Sequence, residues 1–189
     1  MDRRFVVVSG LPASGKSTVA QQLAPALGLA LLDKDTILEG LFQSRGIGDL
    51  AWRRFLSRES DSILRVEATA SDGAILVSHW RLPGMTPDSG TPTDWLAELS
   101  GSLVNLHCEC SAETAAGRFF HRNRHPGHLD PESSYAEILE SIRAVARLGR
   151  LDIGLRVDVD TSRALDFDAL LREIRAAFRC RISHEKRDP

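Results

Sequence analysis

The sequence has 189 residues, enough for one domain with its own core and too few for two complete nucleotide-binding units. Apolar residues make up 42% of the chain and charged residues 26%, which excludes global disorder. The net charge of −2 argues against broad electrostatic binding to nucleic acid or to an anionic membrane, although it is compatible with a local basic patch.

The chain begins with an apolar strand at residues 5–8, a glycine-rich loop and a helix that opens at residues 18–23. The loop, residues 10–17, reads Gly-Leu-Pro-Ala-Ser-Gly-Lys-Ser and matches the pattern G-x-x-x-x-G-K-[ST]. In this pattern, backbone N–H groups and the helix dipole face phosphate oxygens, Lys16 reaches the β- and γ-phosphates, and the Ser17 hydroxyl can ligate Mg²⁺. The residues expected to hold a nucleoside triphosphate are Gly10, Leu11, Pro12, Ala13, Ser14, Gly15, Lys16, Ser17 and Thr18.

Two carboxylates follow the second predicted strand, residues 30–32. Ligands bind at this end of an open parallel sheet, and residues two apart face the same way if the strand persists. We therefore expect Asp33 to serve Mg²⁺, directly or through water, and Asp35 to orient an attacking hydroxyl and accept its proton. The alternative is a pair of solvated turn residues, with Asp35 capping the next helix.

Two helices and a third strand come next. Thr36 is expected to cap a helix with an apolar stripe over residues 37–42, which residues 46–49 break. Residues 50–70 predict a long amphipathic helix. Residues 74–77 predict a buried third strand.

The segment after the third strand is expected to contact the acceptor of a reaction. His79 is the best placed residue, and Trp80 and Arg81 beside it suit a stacking or anion-binding wall. A packed tryptophan is the alternative for Trp80. The Pro-, Gly-, Ser- and Thr-rich residues 82–93 form a loop long enough to act as a lid or substrate loop.

The second half of the chain continues the alternation of strands and helices. Residues 103–108 predict a fourth strand, and Ser111 is expected to cap a helix that runs through Arg124 and stops at residues 126–127. The remaining elements are a helix over residues 134–148, a strand over residues 155–159 and a helix over residues 166–178.

Arginines cluster on the helix after the fourth strand. Arg118 and Arg122 are four residues apart on one predicted face, and Arg124 lies where a flexible lid could carry it to the nucleotide. Such arginines stabilise the charge on a phosphoryl group in transfer. A solvated basic face is the alternative. The neighbouring histidines and Cys108 and Cys110 lack the spacing of a zinc site.

This alternation predicts an α/β domain of three layers, with a parallel sheet between two layers of helices. We expect one domain over residues 1–183 and a frayed polar tail over residues 184–189. The apolar run after Arg3 and Arg4 is too short for a signal peptide, and three cysteines without a framework spacing indicate free thiols. We therefore expect a cytoplasmic protein without membrane contacts.

Two classes of nucleotide-binding protein are disfavoured. A Ras-like or translational GTPase needs a guanine-selecting Asn-Lys-x-Asp segment, and neither Asn105 nor Asn123 is followed by Lys. A motor or AAA-type ATPase usually places a Mg²⁺-binding Asp after an apolar strand, whereas the third strand here leads into Ser78. The sequence therefore favours transfer of a phosphoryl group.

With these residues, the chain resembles the small P-loop kinases, a group that includes AAA-type predicted kinases, shikimate and gluconate kinases, chloramphenicol phosphotransferase and the kinase domain of polynucleotide kinase. The phosphate loop and the segment Asp-Thr-Ile-Leu-Glu at residues 35–39 carry the likeness. It implies a P-loop NTPase fold with a five-stranded parallel sheet and a lid segment, Asp35 as the base, Arg118, Arg122 and Arg124 as lid arginines, and Asp160, Thr161 and Ser162 beside the adenine.

These observations predict an ATP- and Mg²⁺-dependent phosphotransferase that acts on a hydroxyl group of a small molecule. A polynucleotide or nucleoside kinase is an alternative, but polynucleotide kinases carry an Arg three residues after the catalytic Asp, where this chain has Leu38. A second alternative is an ATP-binding regulatory module without catalytic activity.

Overall fold

The computed structural model describes residues 3–130 and 133–185. Within these residues, five parallel strands form one sheet. They are β1 (Arg4–Gly10), β2 (Ala30–Asp33), β3 (Gly73–Val77), β4 (Ser102–Glu109) and β5 (Leu155–Asp160). Their order is β2-β3-β1-β4-β5, so the strand that leads into the phosphate loop is the central one. The predicted five-stranded parallel sheet is confirmed.

Six α-helices lie between or after the strands in the described part of the chain. They are α1 (Lys16–Leu27), α2 (Lys34–Arg45), α3 (Leu50–Ala70), α4 (Ala112–His121), α5 (Tyr135–Arg147) and α6 (Phe167–Glu185). Two short 3₁₀ turns lie at Asp94–Glu98 and Pro126–His128. None of the described helices has both the length and the apolar composition needed to cross a membrane.

The side chains of β1 alternate between two hydrophobic layers, as the pleat of a strand requires. Val6 and Val8 pack in one cluster with side chains of α1 and α6, and Phe5 and Val7 pack in the other with side chains of α3 and of the turn at Asp94–Glu98. All four are fully buried. Helices therefore cover both faces of the sheet, and the three-layer α/β architecture is confirmed.

The start of α2 differs from the prediction. Asp33, not Thr36, is the N-cap residue, since its Oδ1 accepts a hydrogen bond from the backbone N–H of Asp35 at 2.9 Å. The strand ends at Asp33 and the helix begins at the next residue. Asp33 and Asp35 therefore do not share one face of a continued strand, and the helix turn brings them together instead.

The end of α4 also differs from the prediction. The helix stops at His121, where Arg122 turns to an extended conformation with φ −74° and ψ 142°. The Arg122 guanidinium lies 3.6 Å from the centre of the Phe119 ring, a contact that holds it back over the helix end. Arg118 and Arg122 are thus not neighbours on one helical face, and Arg124 belongs to the segment after the helix.

The other predicted elements agree with the structure to within a few residues, apart from the last helix. Ser111 and Ser134 cap α4 and α5 through their hydroxyl groups. The last helix, α6, continues well beyond its predicted end, through Glu185. The rest of the predicted tail, residues 186–189, lies outside the described residues.

Candidate active site

A cavity of about 790 Å³ opens at the carboxyl ends of the strands, which is where open parallel sheets bind ligands. It brings together most of the residues that the sequence singles out. From that set, the lining includes Pro12, Ala13, Ser14, Gly15, Lys16, Ser17, Thr18, Asp33, Asp35, His79, Arg118, Arg122, Arg124 and Thr161. Gly10, Leu11, Trp80, Arg81 and Asp160 are not among its lining residues.

The phosphate loop is closed by contacts within itself. The Lys16 ammonium donates to the backbone oxygens of Gly10 at 3.2 Å and Leu11 at 2.8 Å. Ala13 and Gly15 have positive φ angles of 59° and 87°, a backbone that gathers N–H groups into a concave anion site.

Two side chains of the loop are suited to an anion. The Ser14 hydroxyl is fully buried and has no hydrogen-bond partner among the described residues. Burial lowers the pKa of Lys16, and a bound anion would stabilise its charged form. An orphaned donor and a buried ammonium in one loop fit the phosphates of a nucleotide.

Ser17 and Asp33 form the part of the site that suits a divalent cation. The Ser17 hydroxyl donates to Asp33 Oδ2 at 2.6 Å. Burial raises the pKa of Asp33, although the hydrogen bonds from Ser17 and from the Asp35 N–H oppose it. Mg²⁺ is typically held by one or two carboxylates together with phosphate oxygens, and this pair fits that donor set.

No larger metal cluster accompanies this pair. Among residues 3–130 and 133–185, no group of three or more His, Cys, Asp or Glu side chains is placed to hold a metal ion.

Asp35 lies opposite the arginines of the segment after α4. Arg124 Nη2 is 2.6 Å from Asp35 Oδ2, and Arg124 also pairs with Asp130 at 3.1 Å. Burial alone would raise the pKa of Asp35, but the charges of Arg124 and Arg122 and the hydrogen bond from Arg124 hold it below its ordinary value. Asp35 is therefore ionised at neutral pH.

Arg122 and Arg118 reach the cavity in different ways. Arg122 lies 3.5 Å from Asp130, and burial lowers its pKa to about 10, so the side chain keeps its charge at neutral pH. Arg118 donates to the backbone oxygen of Thr161 at 2.6 Å. Thr161 in turn donates to the Ser14 carbonyl at 2.7 Å and so joins the end of β5 to the phosphate loop.

Asp160 does not line the cavity. Its carboxylate accepts from the N–H and hydroxyl of Ser162 and pairs with Arg163 at 3.0 Å. Of the three residues that the resemblance places beside the adenine, Asp160, Thr161 and Ser162, only Thr161 lines the cavity.

The three residues after β3 separate in the structure. His79 lines the cavity, and burial lowers its pKa to about 4, so its imidazole is neutral at pH 7. Trp80 is buried and donates to the Val8 carbonyl at 2.8 Å, the core position that the sequence left open as its alternative. Arg81 donates to carbonyls of the loop over residues 82–93. Trp80 and Arg81 thus do not form a wall of the cavity.

Sequence reasoning missed an ion pair at the wall of the cavity. Lys34 Nζ lies 2.7 Å from Asp61 Oδ1 and 3.2 Å from the Ser57 hydroxyl. Thr91 Oγ1 donates to the same Asp61 oxygen at 2.7 Å. The sequence signal was a polar interruption of the buried stripe of α3, since Asp61 and Ser57 stand three and seven residues before Leu64.

A family model and two curated relatives each match most of this chain. A family model described as an AAA domain matches residues 5–148. A shikimate kinase of Corynebacterium jeikeium is 30% identical over 143 residues, which cover 73% of this chain and 71% of that protein. A shikimate kinase of Mycobacterium ulcerans is 31% identical over 160 residues, which cover 83% of this chain and 80% of that protein.

Solved structures show the same architecture. A protein of Chloroflexus aurantiacus assigned as a kinase superposes with a TM-score of 0.76 at 26% identity, covering 94% of this chain and 99% of that one. Shikimate kinase of Bacteroides thetaiotaomicron superposes with a TM-score of 0.57 at 14% identity, covering 93% and 98%. The second likeness concerns the fold alone.

Proposed function

This chain belongs to the AAA domain family, as a small P-loop kinase, and from that premise we propose that it transfers the γ-phosphate of ATP to a hydroxyl group of a small molecule. The observation that carries the proposal is the pairing of Asp35 with Arg124 at 2.6 Å in the cavity that also contains Lys16. A carboxylate for an attacking hydroxyl, a cation for the transferring phosphoryl group and a phosphate-binding ammonium are thus present together.

The loop end of the cavity is the donor end. Lys16, the N–H groups of the loop and the Ser14 hydroxyl bind the triphosphate. Ser17 and Asp33 would hold Mg²⁺, which supplies charge neutralisation at the β- and γ-phosphate oxygens. Thr161 and Arg118 border the nucleotide on the side of β5.

The reaction requires Asp35 and the arginines. Asp35 accepts the hydrogen bond of the acceptor hydroxyl and then its proton, as the acceptor oxygen bonds to the γ-phosphorus and the bond to the β–γ bridging oxygen breaks to release ADP. Arg124 and Arg122 stabilise the negative charge on the equatorial oxygens of the transferred group.

The acceptor end favours a polar molecule over a nucleobase. It is lined by Lys34, Ser57, His79 and Asp88, whose side chains suit hydroxyl groups. Among the described residues that line the cavity, Phe119 is the only carbocyclic aromatic side chain, and Arg122 covers its ring. The three cysteines are free, which supports the cytoplasm as the compartment we propose.

Transfer from [γ-³²P]ATP to a panel of hydroxyl-bearing metabolites, antibiotics and oligonucleotides tests the proposal. With an acceptor in hand, Asp35→Asn should lower kcat by about 10²- to 10⁴-fold and leave the Kd for Mg-ATP within about twofold. Asp72→Asn, at an exposed turn before β3, is the matched control.

Three outcomes would contradict the proposal. Equal transfer by the wild type and by Asp35→Asn would remove Asp35 as the base. Slow hydrolysis that no compound in the panel accelerates would point to a regulatory module, and phosphate on an oligonucleotide alone would point to a polynucleotide kinase.

A further inference from the structure

Residues 122–130, which follow α4, pack against α2. We call this stretch the lid segment. The His128 side chain is 1% exposed, and its Nε2 lies 3.0 Å from Glu39 Oε1. The ring of Phe42 lies between two histidines of this segment, with His125 stacked on it at 5.4 Å and His128 against its edge at 5.7 Å.

Two further contacts fix the same segment. A Cβ atom at Gly127 would lie 2.5 Å from the Phe42 ring, so the backbone of the segment packs directly on this side chain. From α3, Arg53 Nε donates to the His128 carbonyl at 2.7 Å. The lid segment is thus attached to both α2 and α3.

The hydrogen-bonding state of His128 follows from its two ring nitrogens. Nε2 faces a carboxylate, whereas Nδ1 is buried and has no hydrogen-bond partner among the described residues. A proton on Nε2 is therefore satisfied, and a second proton on Nδ1 would have no acceptor. The neutral ring that donates to Glu39 fits this environment, and burial lowers the pKa of His128 in agreement.

The docked segment also carries the arginine that faces the proposed base. Arg124 is four residues before His128, and it reaches both Asp35 on α2 and Asp130 in the segment itself. The same helix, α2, therefore supplies Asp35 to the arginine and Glu39, one turn later, to the histidine. Docking of His128 and placement of Arg124 depend on one surface.

We propose that His128 and Glu39 are positioning residues, which hold the lid segment on α2 so that Arg124 stays against Asp35. The effect of this docking on catalysis rests on the proposed kinase activity. The docking itself does not, because it is present in the protein without substrate.

Hydrogen exchange tests the docking without any substrate. The N–H groups of His128 and Leu129 are bonded to carbonyls inside the segment at 3.0 Å each, and their exchange should rise by about tenfold or more in His128→Ala. Glu39→Gln keeps an acceptor and should resemble the wild type, whereas Glu39→Leu should resemble His128→Ala. The control is His121→Ala, which changes the exposed last residue of α4.

Kinetics test whether His128 acts through Arg124. With an acceptor from the panel, His128→Ala should lower kcat by a factor close to that of Arg124→Ala and leave KM for Mg-ATP unchanged. The double variant should be no slower than Arg124→Ala alone, because the histidine has nothing left to position. A general loss of structure would not give this non-additivity.

Three results would overturn the proposal. They are unchanged exchange over residues 122–130 in both His128→Ala and Glu39→Leu, kcat losses that multiply in the double variant, and full transfer activity in Glu39→Leu. If His128→Ala does not fold, Glu39→Leu decides the question. If the wild type transfers phosphate to no compound, the kinase proposal fails and the exchange result still decides the docking.

Discussion

The two ends of the cavity are built in different ways. At the donor end, contacts join residues that are close in sequence, such as Lys16 with the carbonyls of Gly10 and Leu11. At the acceptor end, the contacts of Arg124 with Asp35 and of His128 with Glu39 each join residues 89 positions apart. One stretch of chain, residues 10–17, defines the phosphate loop of the donor end, whereas tertiary packing of α2, α3 and the lid segment defines the acceptor end.

This difference has a consequence for how the two ends respond to change. The donor end keeps its geometry as long as β1 and α1 are in place, since its backbone is closed by its own hydrogen bonds. The acceptor end depends on side chains from several elements, so its shape and selectivity can change without loss of nucleotide binding.

The largest effect is expected for Lys16→Met, which removes the buried ammonium of the donor end. We expect loss of Mg-ATP binding and a fall in transfer of about 10²- to 10³-fold, since no other lysine lies in the loop. Isothermal titration calorimetry with Mg-ATP measures the first effect. If Lys16→Met bound Mg-ATP with wild-type affinity, the proposed difference between the donor end and the acceptor end would be wrong.

The same substitution at the acceptor end, Lys34→Met, should act on stability instead. Its side chain and that of Asp61 are 11% and 17% exposed, so removal of the ammonium leaves a largely buried carboxylate without its cation. We expect the free energy of unfolding to fall by about 2 to 3 kcal/mol, measured by urea denaturation, with the Kd for Mg-ATP close to that of the wild type. The double variant Lys34→Met with Asp61→Asn should recover part of the loss, because it removes the unpaired charge.

A change of pH should have a smaller effect on the free energy of unfolding, through protonation of His79, which lines the cavity. Its folded-state pKa of about 4 lies below the ordinary histidine value of 6.5, so the unfolded state binds more protons between these two values. The free energy of unfolding should therefore fall as the pH falls from 7 to 5, by about 1 to 2 kcal/mol from this residue. His107 and His128 act in the same direction, since burial also lowers their pKa values.

The variant His79→Gln checks that contribution. Its free energy of unfolding should depend less on pH over this range than that of the wild type, and His121→Gln at the exposed end of α4 should not differ from the wild type. An equal slope in His79→Gln would mean that other groups carry the pH dependence.

Local patterns account for what the sequence predicted well. The order of strands and helices, the phosphate loop and the extent of α3 follow from apolar periodicity and from one motif, both of which are local. The fold and the donor end were therefore accessible from the sequence.

The features that the sequence did not predict depend on contacts between distant parts of the chain. Arg118 and Arg122 were expected on one helical face, but α4 ends before Arg122, which instead contacts Phe119 and pairs with Asp130. For Trp80 the sequence left open a wall of the site or a core position, and its hydrogen bond to the Val8 carbonyl of β1 decides for the core. Neither the Lys34–Asp61 pair nor the docking of His128 has a motif of its own, because each is defined by two elements that pack together.

The protein has few lysine side chains, and two of the three line the cavity. Of the 24 basic residues in the chain, three are lysines; Lys16 and Lys34 line the cavity, and Lys186 lies outside the described residues. Acylating reagents and aldehydes that attack unprotonated amines therefore have two of their three ε-amino targets in the cavity. The extent of such labelling, read by mass spectrometry, reports how much of the protein has its cavity filled.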